Sequence, residues 1–371
     1  MFNVTTGRLF YILELAGTFT CTWPVDVNSS KSRILIRNIR WSFAMLNVTL
    51  LLTSLVLAVY HFREDTTTVM KTASEMTALL EVFLDLIFCK LKSAQLQVLI
   101  TRIRGFVEVA NEDESRVLQG YVDRYKMFFS VTAMGYISTA VSFGFVPLFS
   151  TQDLPADGWI PFATEPLVLY LVIYVHQVYC ICTAALCIFV DFTIALLFSF
   201  PAARLDILGT KLRHVDSYRM LISCVKEHQE IIGFVEDTKA IVEALLFKTN
   251  VTMGSAVICG AFQLVNNQSL AVKSQFVPMV VSGCAHLYVI AWPADDLKES
   301  SVRFLNSIAD VRWLGKQREM GSALIIMIQR SQKMFLIRMS SLLPALTLEY
   351  YANFLTTVSS YFMAMRTMIE S

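Results

Sequence analysis

The 371 residues are 55% apolar and only 16% charged, with 31 Lys and Arg against 30 Asp and Glu. With a strongly positive mean hydropathy, this composition excludes a soluble domain and identifies a polytopic membrane protein, in which only the placement of charge is informative. Eight cysteines, most inside apolar runs and none in a CxxC pair, five histidines without HExxH spacing and no glycine-rich phosphate loop argue against a disulfide framework, a zinc site, a bound cofactor and an enzyme.

In chain order, Arg8 precedes the run LFYILELAGTFT, which Glu14 interrupts and which no small-residue cleavage site follows; it reads as an amphipathic helix on the membrane surface. The segment KSRILIRNIR then places four cations ahead of a first span, Trp41 to Phe62, long enough to cross a hydrocarbon core of about 30 Å. A second span, Thr66 to Phe88, contains Lys71, Glu75, Glu81 and Asp85, which fall within an arc of about 120° on a helix. That arc should face protein or a water-filled cavity, since isolated charges are costly in lipid. Two roles stay open for it: packing, with Lys71 and Glu75 paired at i,i+4, or a part in ion passage.

A polar, helix-prone stretch leads to a third span, Met127 to Phe149, and the loop STQDLPADGWIPFATEP carries no cation. The fourth span, Leu167 to Phe200, is 34 residues without Gly or Pro. At 1.5 Å per residue it is about 50 Å long, so it should protrude from the bilayer, with a bend allowed at Pro201. Soluble helix follows, then a fifth span from Leu245 to Leu264 and a sixth that begins near Phe276 and continues as helix past Trp292. REMGSALIIMIQRSQK reads as a helix with Ala323, Ile326 and Met327 on one face, ahead of a terminal span from Leu342 to Met365.

Of the 31 Lys and Arg, 27 fall on one side of this arrangement and 4 on the other. The expected fold is therefore an all-α membrane protein of seven transmembrane helices, N-terminus cytoplasmic and C-terminus extracellular, with cytoplasmic helical extensions forming an anchor region. Its parts are 1–200, the N-terminal segment with helices one to four; 201–341, the cytoplasmic helices with helices five and six; and 342–371, the terminal helix. Asp123-Arg124-Tyr125 imitates the DRY motif of G-protein-coupled receptors, but it precedes the third span where that motif follows it. On the last helix Thr357, Tyr361, Ala364 and Met368 fall at steps of four, three and four, a seam that suits either the wall of an oligomeric pore or ordinary packing.

The tail LTLEYYANFLTTVSSYFMAMR, with Leu348-Glu349 and Tyr361-Phe362, resembles the terminal signature of insect odorant receptors. YLVIYVHQVY with Asp191 beyond it, CVKEHQEIIGFVE and WPADDLKESSVRFLNSIADVRW agree in order, so the resemblance spans nearly the whole chain. It implies a ligand-tuning subunit of an odorant-gated, non-selective cation channel, in a tetramer with the odorant receptor co-receptor in the plasma membrane of a sensory dendrite. The terminal helices would line the pore, with the gate near Ala364 and Met368. The small volatile odorant would bind in the outer half of the bundle, where helical spacing nominates Met70, Ser74, Thr139, Phe143, Val146, Tyr170, Tyr174, Gln177, Phe276, Met279 and Gly283; each also suits plain helix packing. Gustatory receptors, which form channels by themselves, share the architecture and are the alternative. A transporter is disfavoured, since neither internal symmetry nor a broken helix pair is evident. Asn267, in NQS, is the one glycosylation sequence expected in an outer loop.

Overall fold

The computed structural model describes residues 5–26, 29–149, 152–162, 166–265, 270–311, 318–339 and 343–370. Among them eleven α-helices follow in order: α1 Thr6–Phe19, α2 Lys31–His61, α3 Thr66–Leu91, α4 Ser93–Val109, α5 Glu112–Phe145 with a 3-10 turn at Val146–Leu148, α6 Leu167–Leu186, α7 Ile188–Arg213, α8 Tyr218–Val265, α9 Leu270–Ala309, α10 Arg318–Ser331 and α11 Leu348–Glu370. The Asn267 sequence lies outside the described residues.

Five helical stretches, α2, α5, α6 with α7, α8 and α9, are long and apolar enough to cross a membrane. α3 and α11 are long enough, at 26 and 23 residues, but less apolar. They sit in the bundle by packing, α3 on α8 and α2, and α11 on α8 and α9. Several helices run well past their apolar portions, because the polar flanks also favour helix and hold no proline. α8 has 48 residues and is about 72 Å long, more than twice the hydrocarbon core. Part of it must project from the bilayer. Asp65 fixes the start of α3: its carboxylate accepts from the Thr68 hydroxyl (2.6 Å) and from the N–H groups of Thr67 and Thr68, and these bonds hold it below the usual carboxylate range.

α7 is the central helix, with 19 of its 26 residues buried. A helix apolar on all sides needs neighbours on all sides, and α1, α5, α8 and α9 supply them. The expected unbroken fourth span is interrupted at Cys187, where the α6 ladder ends, whereas helix continues through Pro201. In α10 the buried row is Met320, Leu324 and Met327, at steps of four and three; Ile326, expected on that face, is 59% exposed. α1 buries Phe10, Leu13 and Ala16 against the bundle, yet exposes Tyr11, Ile12, Leu15 and Phe19. Both faces are apolar, as suits a helix lying in the membrane interface.

Two of the family-like segments, CVKEHQEIIGFVE and WPADDLKESSVRFLNSIADVRW, meet in the projecting half. The His228 ring of α8 lies 4.8 Å from that of Phe304 on α9. Arg124 donates to Asp296 at 2.9 Å, and Tyr125 donates to the same carboxylate. Tyr121 donates to Asp206 at 2.6 Å, and Arg303 pairs with that carboxylate at 3.0 Å. The false DRY sequence is thus part of a polar clamp joining α5 to α9.

Candidate functional site

Lys71, Glu75, Glu81 and Asp85 of α3 are turned inward and bound by residues far away in sequence. Lys71 pairs with Asp157 at 2.6 Å and donates to Gln152 at 3.0 Å, in place of a pair with Glu75. Glu75 accepts from the Asp157 N–H at 2.9 Å. Glu81 is held by Lys248 and by the hydroxyls of Thr249 (2.7 Å) and Thr252, all on α8, and Lys248 also reaches Asp85 at 2.7 Å. Lys248, counted above among the 27 cations outside the membrane, is buried within the bundle, which leaves 26. Its ammonium has two carboxylate neighbours because a buried lone charge is not tolerated.

Beside this cluster lies a cavity of about 120 Å³, bounded by α2, α3, α5, α6, α7, α8 and α9. That is close to the roughly 150 Å³ in which a protein interior holds a benzene-sized molecule. Its walls are mainly apolar, Leu51, Leu55, Leu79, Val82, Ile181 and Met253 among them. A polar strip is formed by Glu75, Glu81, Asp85, Asp191 and His286. His286 faces Asp191 at 3.1 Å through Nε2 and the Tyr136 hydroxyl at 2.5 Å through Nδ1, a relay across α7, α9 and α5. Residues 152–159 strap one end of the cavity. Beyond the ties to α3, the Ala156 N–H donates to Gln177 at 2.9 Å and the Trp159 N–H to the Ser54 carbonyl at 3.1 Å.

Of the residues nominated from spacing, Thr139, Phe143, Met279 and Gly283 line the cavity. Gln177 holds the strap, and Tyr174 and Tyr170 donate to the carbonyls of Gly144 (2.6 Å) and Asp153 (3.0 Å). Ser74 donates to the Ala256 carbonyl at 3.0 Å, Phe276 is fully buried against the Phe143 ring, Val146 is buried in the 3-10 turn and Met70 is half-buried. These seven stand behind or beside the lining. Asp191, His286, Tyr136 and Met253 also line the cavity, though helical spacing does not nominate them; only the α3 charges signal a polar interior. Gly283 marks a close approach of α8 and α9: a Cβ there would stand 2.7 Å from Val257 Cγ2.

α11 docks on α8 and α9. Tyr350 donates to Asn250 at 2.8 Å, the Tyr351 ring lies 5.1 Å from that of Tyr288, and Phe354 packs over Gly254. Thr357, Tyr361 and Ala364 are exposed on a strip centred roughly 60° around the helix from the docked residues Tyr350, Tyr351 and Phe354. Met363, also exposed, lies about 170° from those docked residues, on the far face of the helix. Met368 belongs to the helix, but its side chain lies outside the described residues.

Residues 65–358 match the family model described as 7tm Odorant receptor. Odorant receptor Or2 of Anopheles gambiae is 27% identical over 286 residues, 69% of this chain and 72% of the relative. Among solved structures, the insect olfactory receptor OR5 from Machilis hrabei in complex with eugenol has a TM-score of 0.83, covering 98% of this chain and 97% of that one at 14% identity. The same receptor, in a structure whose name mentions no eugenol, gives 0.80 over 97% and 96%. At that identity the likeness is one of fold.

Proposed function

Because this chain belongs to the 7tm odorant receptor family, we propose that it is the ligand-tuning subunit of an odorant-gated, non-selective cation channel, assembled as a tetramer with co-receptor subunits. Membership makes it a membrane receptor and not an enzyme. In this reading a small volatile molecule, of the size class of the eugenol named with the Machilis receptor, occupies the cavity beneath the strap. The chain then runs N-terminus inside and C-terminus outside in the plasma membrane of a sensory neuron, as the cation bias supports.

The observation that carries the reading is a short stretch of α8. Lys248 binds the α3 carboxylates, Asn250 and Gly254 touch α11, and Met253, Ala256 and Val257 line the cavity. A ligand can open a channel only by binding one state better than the other. A rigid helix that borders both the cavity and α11 is a physical element through which such a preference reaches the pore. The exposed flank of α11, with Thr357, Tyr361 and Ala364 and, by position, Met368, is the surface it would present to neighbouring subunits around the conduction path.

Co-expression with a co-receptor, followed by current recording to a panel of volatiles, tests this. Ligand-evoked cation currents that need both chains are expected. Responses that need a G protein and no co-receptor would refute it, and currents from this chain alone would mark a homomeric channel of the gustatory type.

A further inference from the structure

The cavity wall offers a ligand carboxyl oxygens without partners among the described residues, while its hydroxyls are tied to the protein. Thr139 donates to the Gly135 carbonyl (2.9 Å), Ser282 donates to the Pro278 carbonyl (2.6 Å), and Tyr136 shares a hydrogen bond with His286 Nδ1. His286 in turn faces Asp191. Lys71 and Lys248, which offset the carboxylates, are absent from the lining, while Glu75, Glu81, Asp85 and Asp191 all belong to it. Among these, Glu81 is saturated by Lys248, Thr249 and Thr252. Asp85 is not: it is 1% exposed, Lys248 approaches only its Oδ1, and Oδ2 has no hydrogen-bond partner among the described residues. Glu75, 7% exposed, keeps Oε1 in the same condition. The two residues stand ten positions apart on α3, about 15 Å, near opposite ends of the cavity.

We infer that this cavity recognises molecules carrying a hydrogen-bond donor, that is alcohols, phenols and amines, and rejects acceptor-only ethers, esters and ketones of the same shape, with Asp85 the specificity-determining residue. A donor supplied by the ligand fills the vacancy on Asp85 Oδ2, and the apolar wall takes the hydrocarbon part. An ether or carbonyl oxygen in that position sets lone pairs against a buried carboxylate oxygen and leaves it unsatisfied. A site built to bond a hydroxyl or amine discriminates strongly against the analogue that lacks it, by tenfold at the least. The inference rests on the cavity being the odorant site.

The test uses the complex with co-receptor and two probe sets, 1-hexanol with hexylamine against methyl pentyl ether, and benzyl alcohol with benzylamine against benzyl methyl ether. Half-maximal concentration for current is read together with ligand-induced thermal stabilisation of the purified complex. Donor probes should act at concentrations at least about tenfold lower than their ethers, and D85N, whose amide can donate as well as accept, should shrink that ratio below about threefold. The wild-type ratio decides the matter if D85N fails to fold, with E75Q as the second variant. Equal potency of ether and alcohol, a ratio unmoved in a folded D85N, or no stabilisation by any probe would overturn the inference. Currents without donor preference would leave the channel reading standing and remove this one. Stabilisation with donor preference but no current would do the reverse.

Discussion

Lys248 shows what a single buried cation does in this bundle. It joins α8 to α3 through Glu81 and Asp85, all three nearly inaccessible. A buried ion pair adds little over a packed apolar alternative, but removing one partner strands the other. Lys248→Met should therefore destabilise the protein by about 3–5 kcal/mol, seen as a lower melting temperature of the solubilised complex, and adding Glu81→Gln should recover part of the loss. No recovery would mean that Lys248 acts through packing alone. The sequence made the arc of α3 charges legible as inward-facing, because period and composition suffice for that. It could not name the partner, since Glu81 and Lys248 are 167 positions apart and spacing along one helix carries no information about contacts to another.

At the scale of one helix, α11 is docked along a row of aromatic residues and leaves its flank uncovered. If that flank borders the pore, Tyr361→Ala and Ala364→Val should change basal current or relative ion permeability more than Met363→Ala, which lies on the opposite flank. Equal effects, at matched surface expression, would remove the seam assignment. Most of the long helices were legible as apolar runs, yet the division of the fourth span into α6 and α7 and several helix ends were not. α2, α5 and α8 extend through polar flanks that hydropathy reads as loops and helix propensity does not. Pro201 looked like the bend, but the ladder breaks at Cys187, where the half-exposed α6 gives way to the fully surrounded α7.

For the molecule as a whole, the order of motifs was readable, and packing explains part of it: two of the segments that carry the family likeness meet in the projecting half, as in His228 on Phe304. The cavity was only partly readable. Thr139, Phe143, Met279 and Gly283 follow from helix faces, whereas Asp191 and His286 require knowing that α7 lies at the centre of the bundle. The strap at residues 152–159 bears on how a signal begins and ends. If the cavity is the odorant site and the strap closes it on the side of the loop, an apolar visitor would arrive sideways from the hydrocarbon, at a concentration set by its partitioning and not by its vapour alone. Cutting the Lys71–Asp157 tie with Lys71→Ala should then quicken both the rise and the decay of the current after a pulse of odorant, while the plateau at saturation stays the same.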